Sequence, residues 1–181
     1  MNLFFDTETT GLPYGNALDD PAYPWPVEVA GVLASGSGDT VGSFRLVVRP
    51  GRWSIPEEVV KIHDIDVEYA RMYGVDLEQV LTVTAVFARQ AKTVLGWNVN
   101  FDCRIIESAA LRLKLSNPLK DLPLKDVMQE TSAFLGLGRM SMQKAYDWLF
   151  KQPLPGAHTA MGDVRACQAI WKKIQKHDRP G

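Results

Sequence analysis

The sequence lacks long apolar runs, clustered cysteines and an excess of charge of either sign. No stretch approaches the ~20 apolar residues that a membrane-spanning helix needs. An acid at position 6 is also unlike the start of a signal peptide. The two cysteines, Cys103 and Cys167, form neither a CxxC pair nor a Cys/His cluster. The sequence therefore predicts a cytoplasmic protein with reduced thiols that makes no contact with a membrane.

The charges of the chain nearly cancel, since 20 Lys and Arg against 21 Asp and Glu give a formal net charge of −1. This balance excludes a broadly basic protein that coats nucleic acid by electrostatics alone, so any contact with nucleic acid must be local. The chain has 181 residues, of which 46% are hydrophobic, and can bury a core of its own. We predict a single domain over residues 1–181.

Apolar patterning predicts a mixed α/β sheet with helices packed against it, because the first strands are followed by strands that alternate with helices. The predicted strands lie at about 3–5, 27–34, 44–48 and 93–97, and residues 122–128 are expected to hold a last short strand that leads into a helix. The first predicted helix begins at Pro56, and the second covers 77–92. The third runs from an N-cap at Asn100 to about 115, and two further helices cover 141–150 and 159–176. Residues 13–26 carry four prolines and three aromatics, which predicts a loop.

Asp6 and Glu8 stand two positions apart at the end of the first predicted strand, where alternate side chains share a face. Two buried carboxylates repel each other unless a cation neutralises them, and a divalent metal with oxygen ligands does this directly. The alternative is a solvated turn with acids at its rim. Asp102 and Asp163 each fall in the first turn of a predicted helix, where an acid alone indicates only a favourable interaction with the helix dipole.

His158 lies five residues before Asp163, a spacing that corresponds to a net rotation of ~140° along a helix. The two side chains would therefore not share a helix face, and we expect His158 to reach the site from the preceding loop. Histidine has an ordinary pKa of about 6.5, which suits a general base at neutral pH. The alternative is a loop histidine without a function.

Three segments, in order, resemble the motifs of the DnaQ-like, DEDDh-type 3′–5′ exonucleases: DTETTGL at 6–12, WNVNFD at 97–102 and HTAMGD at 158–163. The segments VVKIHDI at 59–65 and DVM at 126–128 resemble further elements of this family. The resemblance covers nearly the whole chain. It implies a ribonuclease H-like fold, with a five-stranded mixed sheet in which three antiparallel-type strands precede parallel strands, flanked by helices.

The resemblance also implies a catalytic set of four acids and one histidine. Asp6, Glu8, Asp102 and Asp163 would hold two Mg²⁺ or Mn²⁺ ions, with His158 as the general base. The acids would stay ionised as ligands, and hydrolysis of the phosphodiester would release a nucleoside 5′-monophosphate.

Further positions that match the family are expected to contact the substrate. They are Thr9, Thr10, Gly11, Leu12, Trp97 and Asn98. Leu12 is either a wedge against the terminal base or part of the core. Trp97 either stacks on a nucleotide or belongs to the core. The loop at 13–26 directly follows the first strand and is expected to lie over the substrate.

The expected substrate is the 3′ end of single-stranded DNA. An RNA-directed relative, of the oligoribonuclease or tRNA-trimming type, uses the same chemistry and stays an alternative. A proofreading exonuclease resembling polymerase III epsilon, docked to a DNA polymerase in replication or repair, is a further alternative. The short polar tail after the last helix offers little chain for such tethering. A non-catalytic binding module is disfavoured, because all five reactive residues are present.

Overall fold

The computed structural model describes residues 1–15 and 17–177. Residue 16 of the predicted loop and residues 178–181 of the polar tail lie outside this description. The strands are β1 (Asn2–Thr9), β2 (Pro26–Ala34), β3 (Thr40–Val47), β4 (Thr93–Gly96) and β5 (Leu124–Asp126). The helices are α1 (Glu57–His63), α2 (Val67–Tyr73), α3 (Leu77–Ala88), α4 (Val99–Arg112), α5 (Val127–Leu135), α6 (Met142–Phe150) and α7 (Ala160–His177).

The five strands form one mixed sheet in the order β3-β2-β1-β4-β5. β1 pairs antiparallel with β2, which pairs antiparallel with β3, whereas β4 and β5 continue the sheet in parallel. This arrangement confirms the predicted five-stranded mixed sheet. Because β1 is central, its residues Leu3, Phe4 and Phe5 are at most 1% exposed.

Two hydrophobic cores cover the faces of the sheet. Leu3 and Phe5 pack on one face among residues of α3 and α4. Phe4 points to the opposite face, where its ring forms a T-shaped contact with the Trp171 ring of α7 at a centroid distance of 5.6 Å. The carboxyl ends of β1 and β4 lie at the same edge of the sheet because these strands are parallel. The acids that follow the apolar part of β1 are therefore brought next to the start of α4.

Helix α4 begins differently from the prediction. Its N-cap is Asn98, in a left-handed conformation with φ of 64°, and the helix ends at Arg112. The predicted N-cap at Asn100 is therefore wrong, because Asn100 already belongs to the first turn. Asparagine tolerates this conformation, and the Asn98 N–H donates to Asp126 Oδ1 at 3.0 Å. This contact between the ends of β4 and β5 is not visible in local sequence.

Helix α2 was also not predicted from the sequence. Its N-cap Asp66 accepts a hydrogen bond from the Tyr69 N–H at 2.7 Å, which is a recognisable capping signal. Among residues 1–15 and 17–177, no helix combines the length and apolar character that crossing a bilayer requires.

Candidate active site

Three acids converge at the carboxyl end of β1. Asp6 and Glu8 project from alternate positions of the strand, and Asp163 comes from the first turn of α7. One carboxylate oxygen of each residue lies within 4.8 Å of the corresponding oxygens of the other two. α7 brings Asp163 to this place because its apolar residues, such as Val164 and Cys167, pack on the sheet.

The electrostatics of this cluster favour a cation. Burial, followed by the charges of Asp102, Asp163, Glu8 and Glu28, raises the pKa of Asp6 well above its ordinary value. Burial and the charges of Asp163 and Glu28 raise the pKa of Glu8 to about 7. All donors are carboxylate oxygens, which are the ligands of hard divalent cations such as Mg²⁺ and Mn²⁺. The cluster therefore fits a divalent metal, and the alternative of a solvated turn is disfavoured.

Asp102, the fourth predicted acid, lies in the first turn of α4 and is only 2% exposed. Both the N–H and the hydroxyl of Thr7 donate to its Oδ1, at 2.9 and 2.7 Å. These bonds leave Oδ2 to other partners. Burial raises the pKa of Asp102 to about 7, although the Thr7 bonds oppose this shift. Thr7 was not singled out from the sequence, because its side chain points away from those of Asp6 and Glu8.

His158 lies on the solvent side of the cluster. It is exposed, it precedes α7, and its φ of 65° places it in the left-handed region. Burial raises the pKa of Asp163 to about 6, and the charge and a backbone hydrogen bond of His158 oppose this shift. His158 thus lies in the turn before α7, and its approach to the site as a base stays a prediction. A Cβ at Gly162 would collide with the Gly156 carbonyl, so the loop lies directly against the first turn of α7.

A fifth carboxylate lies beside these acids. Glu28 on β2 is fully buried, and in the register of the antiparallel pair it stands opposite Glu8. Glu28 was given no role from the sequence, although it is the one polar side chain in the apolar strand predicted at 27–34. That single polar residue was the available signal.

The predicted substrate residues from Thr9, the last residue of β1, to Leu12 form a tight turn. The Thr9 hydroxyl donates to the Gly11 carbonyl at 2.8 Å. Thr10 pairs with Trp25, since the Thr10 N–H donates to the Trp25 carbonyl and the Trp25 N–H donates to the Thr10 hydroxyl, each at 2.9 Å. Gly11 has a φ of 152°, a backbone conformation in which a residue with a side chain would be strained. Leu12 is 60% exposed, so its alternative role in the core is wrong.

A cavity of about 370 Å³ opens beside this turn. Thr10, Gly11, Leu12 and Tyr14 line one side, and Val59 and Ile62 of α1 line the other. The segments 6–12 and 59–65, which lie far apart in the sequence, thus meet at one concave surface.

Trp97 and Asn98 lie at the end of β4. Trp97 is half-buried and packs against the same core as Phe4, which favours its core alternative. Asn98 contributes a backbone contact to Asp126, described above, and so helps to orient the start of α4.

The predicted loop at 13–26 packs largely along α4. Arg112 donates to the carbonyls of Tyr23 and Pro24, both at 2.9 Å, and its guanidinium lies 3.4 Å from the centroid of the Trp25 ring. Trp25 stacks in turn on Trp53 at a centroid distance of 5.8 Å. These contacts fix the second half of the loop, and its expected position over the substrate stays a prediction.

The chain is similar to known exonucleases in sequence pattern and in fold. The family profile described as "Exonuclease" (RNase_T) matches residues 3–171. No curated protein is significantly similar in sequence. The solved nuclease domain of 3′hExo, a DEDDh family member bound to rAMP, is 14% identical with a TM-score of 0.79, over 98% of this chain and 92% of that one.

Exonuclease I is similar over a smaller share of its own length. One structure is 21% identical with a TM-score of 0.73, over 97% of this chain and 40% of that chain. E. coli exonuclease I in complex with a dA16 oligonucleotide is 20% identical with a TM-score of 0.75, over 98% of this chain and 41% of that chain. This chain therefore spans about 40% of the length of exonuclease I.

The family profile covers most of the chain, including all three motif segments and the elements that carry the converging acids. The five-stranded mixed sheet agrees with the solved structures. The chain therefore belongs to the exonuclease family, and it has the ribonuclease H-like fold that the resemblance implied.

Proposed function

We propose that the protein hydrolyses single-stranded DNA from its 3′ end and releases nucleoside 5′-monophosphates, and that residues 1–181 act as one exonuclease domain. The observation that carries this proposal is the convergence of Asp6, Glu8 and Asp163 oxygens within 4.8 Å of one another, beside an exposed histidine. A cluster of acids that can bind cations, next to a solvent-facing base, is the arrangement that metal-assisted phosphodiester hydrolysis needs.

The proposed cofactors are two divalent ions, Mg²⁺ or Mn²⁺. Asp6, Glu8 and Asp163 would hold one ion, and Asp6 together with Oδ2 of Asp102 would hold the other. When bound, such ions polarise the scissile phosphate and lower the pKa of the attacking water. The Thr7 bonds to Oδ1 of Asp102 would hold that carboxylate in place and leave Oδ2 for this role.

His158 would act as the general base. Its imidazole accepts a proton from the attacking water at a ring nitrogen, and the exposed position of the side chain lets the proton pass to bulk solvent. The four acids serve as ligands and remain ionised, so the imidazole is the group in the catalytic set that is free to take the proton.

The substrate would enter through the cavity beside the turn at 9–12. Gly11 allows close approach of the nucleotide to the backbone, and the exposed Leu12 side chain would wedge against the terminal base. Thr9 and Thr10 hold the turn in shape through their hydrogen bonds. Asn98 would orient the second motif, and Trp97 would support it from the core.

The solved structures of similar proteins offer support for DNA and for RNA as the substrate. E. coli exonuclease I has been solved with dT13 and dA16 oligonucleotides, which favours DNA. The DEDDh neighbour was solved with rAMP, and a related 3′-exonuclease was solved with a histone mRNA stem-loop, which favours the RNA alternative. We propose DNA as the substrate and RNA as the second candidate, while docking to a DNA polymerase stays a prediction.

Matched DNA and RNA oligonucleotides of one sequence, labelled at the 5′ end, test this proposal. Purified protein with Mg²⁺ should shorten the DNA in single-nucleotide steps from the 3′ end and release 5′-monophosphates, identified by mass spectrometry. The Asp6→Ala variant should leave the DNA intact. Faster loss of RNA than of DNA would replace the DNA proposal with the RNA alternative. An intact pair of substrates with both Mg²⁺ and Mn²⁺ would contradict nuclease activity.

A further inference from the structure

The buried carboxylate of Glu28 joins three elements of the fold. Its Oε1 accepts a hydrogen bond from Arg45 Nε of β3 at 2.7 Å, and its Oε2 accepts one from the Ala160 N–H of α7 at 2.8 Å. The side chain of Glu28 is fully buried, whereas that of Arg45 is 48% exposed. Arg45 therefore supplies the counter-charge from the surface, while the other carboxylate oxygen reaches across to a residue 132 positions away.

The Ala160 N–H lies between two residues of the proposed catalytic set. Ala160 follows His158 by two residues and precedes Asp163 by three. It is the first residue of α7, so its N–H has no partner within the helix and depends on an acceptor from elsewhere. Glu28 is that acceptor. A charge-assisted bond at this point is stronger than a neutral one and also suits the positive end of the helix dipole.

Glu28 also has a fixed relation to the strand acids. It stands directly opposite Glu8 in the β1–β2 register, and the two side chains of such a pair lie on the same face of the sheet. One rigid antiparallel pair thus carries both Glu8 and the residue that holds the start of α7.

We propose that Glu28 is a positioning residue of the exonuclease: it fixes the start of α7 to β2, and thereby sets His158 and Asp163 relative to Asp6 and Glu8. This inference rests on the proposed function of these residues as base and metal ligands. Glu28 acts through the Ala160 backbone, with Arg45 as its counter-ion.

The chemistry of the side chain predicts a graded response to substitution. Glutamate offers two acceptor oxygens, and both are used. Glutamine offers one, so Glu28→Gln can satisfy either Arg45 or the Ala160 N–H but not both. Glu28→Leu satisfies neither and leaves a buried N–H without a partner. Asp76→Asn is the matched control, because Asp76 forms another Arg–carboxylate pair, with Arg49 at 2.9 Å, that is exposed on both sides.

Two measurements test the proposal without relying on activity. Calorimetric titration with Mn²⁺ reports the assembly of the acids, and hydrogen exchange of the segment 156–163 reports the hold on the start of α7. We expect Glu28→Gln to weaken Mn²⁺ binding by about 10-fold and Glu28→Leu by about 100-fold, the range seen when supporting hydrogen bonds of metal ligands are lost. Exchange of 156–163 should accelerate in the same order, and Asp76→Asn should match the wild type in both.

Kinetics on a single-stranded oligonucleotide complete the test. In the Glu28 variants kcat should fall in the order of the Mn²⁺ affinities, while KM stays within a few-fold. A Glu28→Gln protein that melts at a lower temperature, yet keeps wild-type Mn²⁺ affinity and wild-type exchange of 156–163, would overturn the proposal and leave Glu28 a purely structural residue. This comparison decides the matter even if Glu28→Leu does not fold. If the wild type degrades no nucleic acid but Mn²⁺ binding and exchange still respond to Glu28→Gln, the positioning role stands and the proposed function fails.

Discussion

The two halves of the candidate site are built differently. The strand half consists of Asp6 and Glu8 on β1 and of Asp102 on α4, which two hydrogen bonds tie to Thr7 of the same strand. The loop half consists of His158 and Asp163, and its histidine is exposed on a left-handed backbone. The rigid half suits residues that must hold a metal geometry, and the solvent-facing half suits a residue that must exchange protons with water.

The largest effect is expected in the strand half. Asp6→Asn should reduce exonuclease activity by about 10⁴-fold or more, because Asp6 contributes to both proposed ions, whose charge stabilisation in the transition state is worth several kcal/mol. The same variant should melt at a higher temperature than the wild type in EDTA, since it removes a carboxyl group whose ionisation burial and the neighbouring acids oppose. Initial rates on labelled DNA test the loss of activity, and thermal melts in EDTA test the gain in melting temperature.

The exposed Asp39, which pairs with Lys172 at 2.8 Å, provides a control for the loss of one acid. Asp39→Asn should retain the activity of the wild type. Activity of Asp6→Asn within tenfold of the wild type would remove Asp6 from the metal site.

The loop half should show a smaller loss with a different signature. His158→Asn should reduce kcat by about 10²–10⁴-fold, the usual contribution of a general base. Asparagine tolerates the left-handed backbone at this position, so the loss reports the imidazole rather than strain. Melting temperature and Mn²⁺ affinity should stay close to wild type because the side chain is exposed. A large drop in Mn²⁺ affinity would instead make His158 a ligand.

Local sequence was sufficient to predict much of the strand half. The apolar run at 3–5 and the alternation of Asp6 and Glu8 predict a buried strand with two acids on one face, and the structure has both. The first-turn positions of Asp102 and Asp163 were also predicted from local sequence, although the N-cap of α4 was misplaced by two residues. These features depend on residues within one turn or one strand, which local patterns describe.

The remaining features depend on contacts between distant segments. The Glu28 bond to Ala160 spans 132 residues, and the Thr7 bond to Asp102 spans 95. The left-handed backbone of Asn98 accompanies a contact with Asp126, 28 residues further on. Periodicity carries no information about which acceptor a distant strand will present, so Glu28 and Thr7 could be recognised only from the assembled sheet.

Within the strand half, the Thr7 hydroxyl should have a smaller effect than the ligands themselves. Thr7→Val keeps the shape and the backbone bond but removes the 2.7 Å bond to Asp102 Oδ1. We expect Mn²⁺ affinity to fall by about 10-fold, at the lower end of the range for residues that support metal ligands, and Thr7→Ser to restore most of it. Equal affinities for the valine and serine variants would show that the backbone bond alone is sufficient to orient Asp102.

The smallest predicted effect is a shift in melting temperature with pH, and it has opposite signs without and with metal. Unfolded carboxylates titrate at about 4, whereas the folded, metal-free protein holds Glu8 and Asp102 at a pKa of about 7 and Asp163 at about 6. Between these limits the unfolded chain has released protons that the folded protein still binds. The contribution of these carboxyl groups to the stability of the metal-free protein should therefore be fully present below pH 4. It should be lost as the pH rises to about 7.

Mn²⁺ should reverse this trend, because its ligands must be deprotonated and it binds the folded form. In EDTA we expect the melting temperature to be lower at pH 8 than at pH 5.5 by a few degrees, since about 1 kcal/mol shifts it by ~2–4 °C at this size. With excess Mn²⁺ the gain in melting temperature should be larger at pH 8 than at pH 5.5. In Asp6→Asn, both differences should shrink, because the carboxylates that remain repel one another less. An unchanged pH response in that variant would place the titrating groups outside the strand half of the site.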